Sequence, residues 1–550
     1  MNIQIWIPFS LAIFRAPYVA WFSVTPQVII SQGVLTGTTL ETRLGRYFSK
    51  FSGLPYGQPP VGDLRFSSPI PAKGWDGVLS ADKDNIMCPQ FSGSEVVGQE
   101  DCLYLNVYAP LREFSSTIAS KSKRSSLFPV IVFVPGGAYA FGSNSPSSFG
   151  PHYLLDKDII LVTINYRIGI FGFLTTGDLI APGNYGLKDQ VLALKWVQQN
   201  IESFGGDPKK ITLMGSSSGA GAVSLHSLSH SSIGLFNQYI FQSGSALCPW
   251  NYRRKEDFKP DIRKMAKNVD CVTEDSKDLI KCLREINFEA LLTATKSVKS
   301  ALDELPWRPT DELESEEAFL TDSPLNLIAQ NKMKDLPFIC GTVSNEGIYY
   351  TKELYSNPSS TAIHTFYNNL PNKNECIKDY YFKESILTKN EATFLKNLTD
   401  FLGDSKITYP MKALIDKAAN TTKSPFYVYN YGYHSDSNDF ELRYGIKQEC
   451  GVAHSTELLS LFDKEPMRPI SERDGYMIDV MVDLWTSFAK NGKPKSNHLK
   501  DPHMWQPYTK NQLFLQFGNI SNMRDPSVTI ESNFFADRMN FWKTNFPMHL

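Results

Sequence analysis

One segment constrains this chain more than any other: Ile211-Thr-Leu-Met-Gly215-Ser216-Ser217-Ser218-Gly219-Ala220-Gly221-Ala222-Val223. An apolar run of strand type enters a Gly-x-Ser-x-Gly pattern, and small residues able to start a helix leave it. So sharp a strand-to-helix turn forces strained backbone on its middle residue, and the flanking glycines remove Cβ atoms that would clash. The pattern alone is weak, and its flanks give it meaning. It puts the Ser217 hydroxyl at a helix N-terminus. Ser216 and Ser218 carry hydroxyls too, but the spacing selects Ser217. The competing reading is a serine-rich turn.

A nucleophilic serine needs a base, and the base an orienting acid. After such a turn the chain order is serine, acid, histidine. Of nine histidines, His454 follows the small-residue approach Gly451-Val-Ala and precedes a helical run, which suits a catalytic loop. Glu346 follows the apolar run ending Cys340-Gly-Thr-Val, where an acid at a strand's carboxyl end belongs. Backbone donors for an oxyanion need a strand running into small residues. Val130-Ile-Val-Phe-Val-Pro135-Gly136-Gly137-Ala138-Tyr139 supplies one, with an ordinary tight turn as the alternative.

Apolar strand candidates recur at Val130–Val134, Ile159–Ile164, Ile211–Met214, Tyr239–Gln242, Phe338–Gly341, Phe426–Tyr429 and Leu513–Phe517. Between them, Leu187, Val191, Leu194, Val197, Ile201 and Phe204 recur at helical spacing, and Met477–Phe488 reads as a buried helix. Such alternation predicts an α/β fold with a mostly parallel sheet covered by helices, and active sites at the carboxyl ends of its strands. No repeat or low-complexity linker interrupts it, so residues 25–550 read as one unit. Residues 1–24, with the apolar run Ile3–Phe14, read as a signal peptide, although no Lys or Arg precedes the run. No run reaches the ~18 apolar residues of a membrane span, so no transmembrane anchor is expected.

Net charge is −2, from 55 basic and 57 acidic residues. A nucleic-acid protein would show a basic excess, so that class is excluded. Lys121–Arg124, Arg253–Lys264 and Asp303–Glu317 read as solvated stretches rather than binding sites. Eight cysteines fit a secreted chain, and the spacings of Cys88 with Cys102 and Cys271 with Cys282 would let disulfides close two short loops. Cys248, Cys340, Cys376 and Cys450 show no obvious pairing, and Cys340 reads as a buried thiol. Sequons at Asn397, Asn420 and Asn519 are glycosylation candidates if the chain enters the secretory pathway.

With these residues in place, the chain resembles the type-B carboxylesterase and cholinesterase family, in its insect carboxylesterase flavour. The resemblance runs from Pro26 to Trp542. It is carried by Glu41-Thr-Arg-Leu-Gly-Arg46, Gly53-Leu-Pro-Tyr-Gly-Gln-Pro-Pro-Val-Gly-Asp-Leu-Arg-Phe66, Glu100-Asp-Cys-Leu-Tyr-Leu-Asn106, Asn165-Tyr-Arg167, Gly183–Gln190, Phe204–Pro208 and Gln242-Ser-Gly244. It implies an α/β-hydrolase fold and a catalytic triad of Ser217, Glu346 and His454. It also implies oxyanion donors at the N–H groups of Gly137, Ala138 and Ser218, and disulfides Cys88–Cys102 and Cys271–Cys282. No cofactor and no metal are implied.

Three positions depart from the family pattern. Ser216 stands where Glu or another polar residue is usual, Ser218 where Ala is usual, and Pro135-Gly-Gly-Ala138-Tyr139 where His-Gly-Gly-Gly-Phe is usual. Ala138 and the missing carboxylate at Ser216 are expected to make a slower or narrower esterase. The expected function is hydrolysis of a small to medium apolar ester, such as a xenobiotic, hormone, pheromone or lipid-like ester, through an acyl-enzyme. The alternative is a catalytically weak or non-catalytic binding or adhesion member of the same fold. Choline recognition wants an aromatic face, best a Trp, and Pro89–Asp101 offers only Phe91, expected instead to pack near the disulfide. The expected location is extracellular, with the endoplasmic reticulum lumen or cytoplasm as alternatives.

Overall fold

Strands without polar alternation belong inside a sheet covered on both faces, and the central strands of this chain read that way. In this computed structural model the described residues are 25–550 without 112–125, 299–305, 358–374, 389, 439, 448, 465–469, 510 and 520. The expected signal segment 1–24 and the basic run Lys121–Arg124 lie outside them.

Among the described residues, eleven strands form the main sheet. In chain order they are β1 (Thr38–Glu41), β2 (Tyr47–Pro55), β3 (Tyr104–Pro110), β4 (Phe128–Val134), β5 (Ile160–Ile164), β6 (Gly206–Ser216), β7 (Gln238–Gln242), β8 (Phe338–Val343), β9 (Phe426–Tyr431), β10 (Leu513–Phe517) and β11 (Val528–Ser532). Their spatial order is β11-β10-β9-β8-β7-β6-β4-β5-β3-β2-β1. The stretch from β10 to β5 is parallel, with Val130 opposite both Ile160 and Ile211. Both edges turn antiparallel. The sheet is therefore the mostly parallel one expected, and its antiparallel edges are additions that the apolar runs did not show.

Helices cover both faces. Helix α1 (Tyr185–Asn200) passes into a 3-10 turn, Ile201–Phe204, and stops at Gly205 with φ 88°. Helix α2 (Ser218–Leu228) is buried along its length and follows β6 directly. Helix α3 (Glu472–Asn491) is capped by Ser471, whose side chain accepts the N–H of Asp474, and buries Met477, Met481, Trp485 and Phe488. Among the described residues no helix is long and apolar enough to cross a membrane.

Several motif residues prove to be clamps between segments. Arg65 donates two bonds to Glu100, at 2.6 and 2.7 Å, and Arg167 grips Asp189 at 2.8 and 2.7 Å in full burial. Paired, bidentate geometry is what allows such charges inside a protein. The acidic stretch Asp303–Glu317 corrects an expectation in part. Arg308, Asp311 and Glu312 are buried, not solvated, while residues 313–317 are exposed as expected. Glu312 meets Lys188 at 2.6 Å and the Asn184 amide at 2.7 Å, because a buried carboxylate needs such partners. Cys88 is joined to Cys102 and Cys271 to Cys282. Cys248 and Cys340 are buried free thiols, and Cys376 and Cys450 are half-buried ones.

Candidate active site

Strand β6 ends in the Gly215–Gly219 turn. Ser217 sits there with φ 57° and ψ −125°, off the regular regions, as a residue forced through a sharp corner must. The corner needs its glycines. A Cβ on Gly215 would lie 2.5 Å from the carbonyl carbon of Gly219, and one on Gly219 would lie 2.1 Å from the Val134 oxygen. The Ser217 N–H donates to the Gln242 carbonyl at 2.8 Å, and its carbonyl accepts the Gly221 N–H at 2.9 Å, so the elbow is fixed from both sides.

Glu346 and His454 arrive on loops after β8 and β9. The His454 Nδ1 lies 2.6 Å from Glu346 Oε2, and the other carboxylate oxygen accepts the Val343 N–H at 2.9 Å. Asn345 laces the two loops together. Its N–H donates to the Val452 carbonyl at 3.1 Å, and its side-chain oxygen accepts the Val452 N–H at 3.0 Å. Burial opposes charge on His454, yet the Glu346 carboxylate outweighs it and holds the imidazole pKa above its ordinary value.

Ser217, His454, Gly136, Gly137 and Ala138 line one cavity of about 400 Å³. Its remaining wall is largely apolar, with Met87, Phe141, Phe149, Tyr349, Phe440 and Phe462 prominent. A larger groove of about 700 Å³, beside the helix Tyr409–Thr421 and the C-terminal tail, holds none of these groups. The glycine loop lies close to the nucleophile: a Cβ on Gly136 would be 3.0 Å from Ser217 Cβ. Ala138 and Tyr139 both adopt left-handed backbone, with φ 57° and 55°. The structure thus brings Ser217, His454, Gly137 and Ala138 to one cavity, with Ser218 beginning α2 behind Ser217 and Glu346 behind His454.

Three features escaped the sequence reading. Asn345 is one. A second is Glu457, fully buried, whose pKa is pushed up to about 7 by burial and by the neighbouring Glu346. It adds to the attraction on His454, a second buried acid beside that ring although position 216 carries none. The spacing His454-Ser-Thr-Glu457 was visible, but nothing in it distinguishes a buried acid from a helical surface one. The third is Gln90, whose amide donates to the Gly142 carbonyl at 3.0 Å and accepts the Gly142 N–H at 2.7 Å, tying the Cys88–Cys102 loop to the loop carrying Gly137. Phe91 faces the Lys296 ammonium at 4.3 Å and is not part of the cavity wall. Among the described residues no His, Cys, Asp and Glu cluster could hold a metal ion.

The chain is similar to known proteins over nearly its whole length. Residues 24–542 match the carboxylesterase family. The chain is 34% identical to a carboxylic ester hydrolase of Bombus ignitus, covering 94% of each chain. It is 34% identical to esterase FE4 of Myzus persicae, covering 89% of this chain and 88% of that one. It is likewise 34% identical to juvenile hormone esterase of Tribolium castaneum, covering 95% of each. With a family match over nearly its full length and relatives named as esterases, the protein is a carboxylic-ester hydrolase, and the chain belongs to the carboxylesterase family.

Proposed function

We propose that Ser217, His454 and Glu346 form the catalytic triad and that hydrolysis passes through an acyl-enzyme on Ser217. The carrying observation is that Ser217 and His454 open into one apolar cavity while Glu346 binds the far nitrogen of His454. Ser217 Oγ attacks the ester carbonyl as His454 takes its proton, and Glu346 stabilises the resulting imidazolium. The carbonyl oxygen, now an oxyanion, is received by the N–H groups of Gly137, Ala138 and Ser218. His454 returns the proton to the leaving alcohol, and a water activated by the same ring releases the acid.

The cavity favours a small to medium, uncharged, apolar ester. Its volume of about 400 Å³ suits a small molecule, and the described lining residues include no Trp, the ring that best holds a quaternary ammonium, and do include the cationic Lys464. Secretion is part of the same proposal, supported by the two disulfides and by a relative named venom carboxylesterase-6 from Apis mellifera. Of the three sequons, Asn420 and Asn519 are exposed, whereas Asn397 is half-buried within a helix. The first two are the better glycan sites.

The test is a series of p-nitrophenyl esters graded by acyl length, run on the wild type and on Ser217→Ala. The variant is expected to fold normally and lose about four to six orders of magnitude in kcat. A variant that keeps most of the rate would show that another group is the nucleophile.

A further inference from the structure

The loop Pro135–Tyr139 is held in a shape that its residues do not favour. Gly137, Ala138 and Tyr139 have φ of 126°, 57° and 55° in succession, and the left-handed region is unfavourable for Ala and Tyr. Such a run persists only where its surroundings impose it. Here the surroundings are two buried hydroxyls. The Tyr139 N–H donates to Ser218 Oγ at 3.2 Å. The Tyr166 O–H donates to the Pro135 carbonyl at 2.8 Å, and the Ser218 side chain faces the same phenol. Ser218, Tyr139 and Tyr166 are all buried. One end of the loop is thereby pinned to the residue that follows Ser217 in the chain, and the other to the tyrosine which that residue faces.

We infer that the Ser218 hydroxyl is a positioning group for ester hydrolysis, clamping the Gly137–Ala138 loop against Ser217 so that the backbone donors converge on the oxyanion. The inference rests on the role proposed above for Ser217 and that loop. Its logic is geometric. Without the hydroxyl, the buried Tyr139 N–H has no acceptor, and an unsatisfied buried donor drives its segment to move. A shift well under 1 Å in an oxyanion loop is enough to misplace its donors. The backbone N–H of residue 218 itself survives any side-chain change, so the hydroxyl's share can be separated from it.

The experiment compares wild type, Ser218→Ala, Ser218→Thr and Tyr166→Phe. It measures kcat and KM for p-nitrophenyl butyrate, inhibition by an alkyl trifluoromethyl ketone that forms a tetrahedral adduct, and Tm. Ser218→Ala is expected to lower kcat about ten- to a hundredfold with KM nearly unchanged, and to weaken the ketone by a similar factor. Ser218→Thr, which keeps the hydroxyl, is expected to recover most of both. If Ser218→Ala fails to fold, Tyr166→Phe carries the test, with a smaller fall of the same pattern expected. Wild-type kcat and ketone affinity in Ser218→Ala, or in Tyr166→Phe where that variant carries the test, would overturn the clamp. So would a loss confined to KM. A wild type that neither turns over the ester nor binds the ketone would instead refute the underlying reading of Ser217, so the two failures are distinguishable.

Discussion

Glu346 holds His454 Nδ1 at 2.6 Å and is itself held by the Val343 N–H at 2.9 Å. The carboxylate is thus anchored to the strand end before it meets the ring, and its charge raises the imidazole pKa against the effect of burial. A histidine acting as base must be neutral, so a raised pKa moves the loss of activity to higher pH.

The acid limb of kcat/KM is therefore expected to have its midpoint above the ordinary imidazole value of about 6.5, with activity falling as pH drops through it. In Glu346→Gln that midpoint should move down, and kcat should fall by about 10⁴. A pH profile whose midpoint does not move in the variant would contradict this pairing.

Glu457 makes a stability prediction of opposite sign to an ion-paired carboxylate. Burial and the neighbouring Glu346 push its pKa up to about 7, so the fold prefers its protonated form. Below the unfolded value near 4.5 there is no penalty, and between that value and 7 stability declines as pH rises. The full shift corresponds to on the order of 3 kcal/mol. Glu457→Gln should accordingly raise Tm at pH 8 and converge on the wild type at pH 4. A variant less stable than wild type at pH 8 would show that the ionised carboxylate stabilises the fold.

At Ala138, two backbone effects oppose each other. Left-handed backbone costs Ala about 1 kcal/mol, and Gly at the same place would relieve that while adding a comparable entropy cost through the unfolded chain. Ala138→Gly should leave Tm nearly unchanged. Its effect belongs in the site, where a methyl group is removed from the cavity wall beside Ser217, and kcat/KM for short aryl esters is expected to rise by up to about tenfold. No gain with any acyl length would mean that Ala138 is neutral.

The two disulfides are expected to separate stability from substrate binding. Each closes a short loop, 14 and 11 residues apart, and contributes about 3 kcal/mol by chain entropy. The loop bounded by Cys88 and Cys102 contains Gln90, which with Met87 lines the cavity; the Cys271–Cys282 loop supplies no lining residue. Paired Cys→Ala variants should lose similar Tm, while KM should rise only for Cys88/Cys102. Equal effects on KM would dissociate the first loop from the cavity wall.

What the sequence made legible follows from how local each signal is. The turn at Ser217 is written in consecutive residues, because the two glycines, the strand and the helix all act within one corner. The parallel strands were legible because burial on both faces leaves only apolar residues, as in Phe128–Val134. Tyr47–Pro55 was not, since its buried Ser49, Lys50 and Ser52 give no apolar run. Glu312 was misread for a similar reason: a charge looks solvated until its partner is known, and Lys188 is far away in the chain. Asn345, Glu457 and the Ser218 hydroxyl act on backbone groups and side chains brought near by folding, and nothing adjacent to them in the chain announces those contacts.

Covalent labelling with a fluorophosphonate followed by peptide mapping tests most directly whether Ser217 is the nucleophile. A single adduct is expected, on Ser217, that Ser217→Ala abolishes and that a substrate ester competes away. An adduct on Ser216 or Ser218, or an active enzyme that takes up no label, would contradict it.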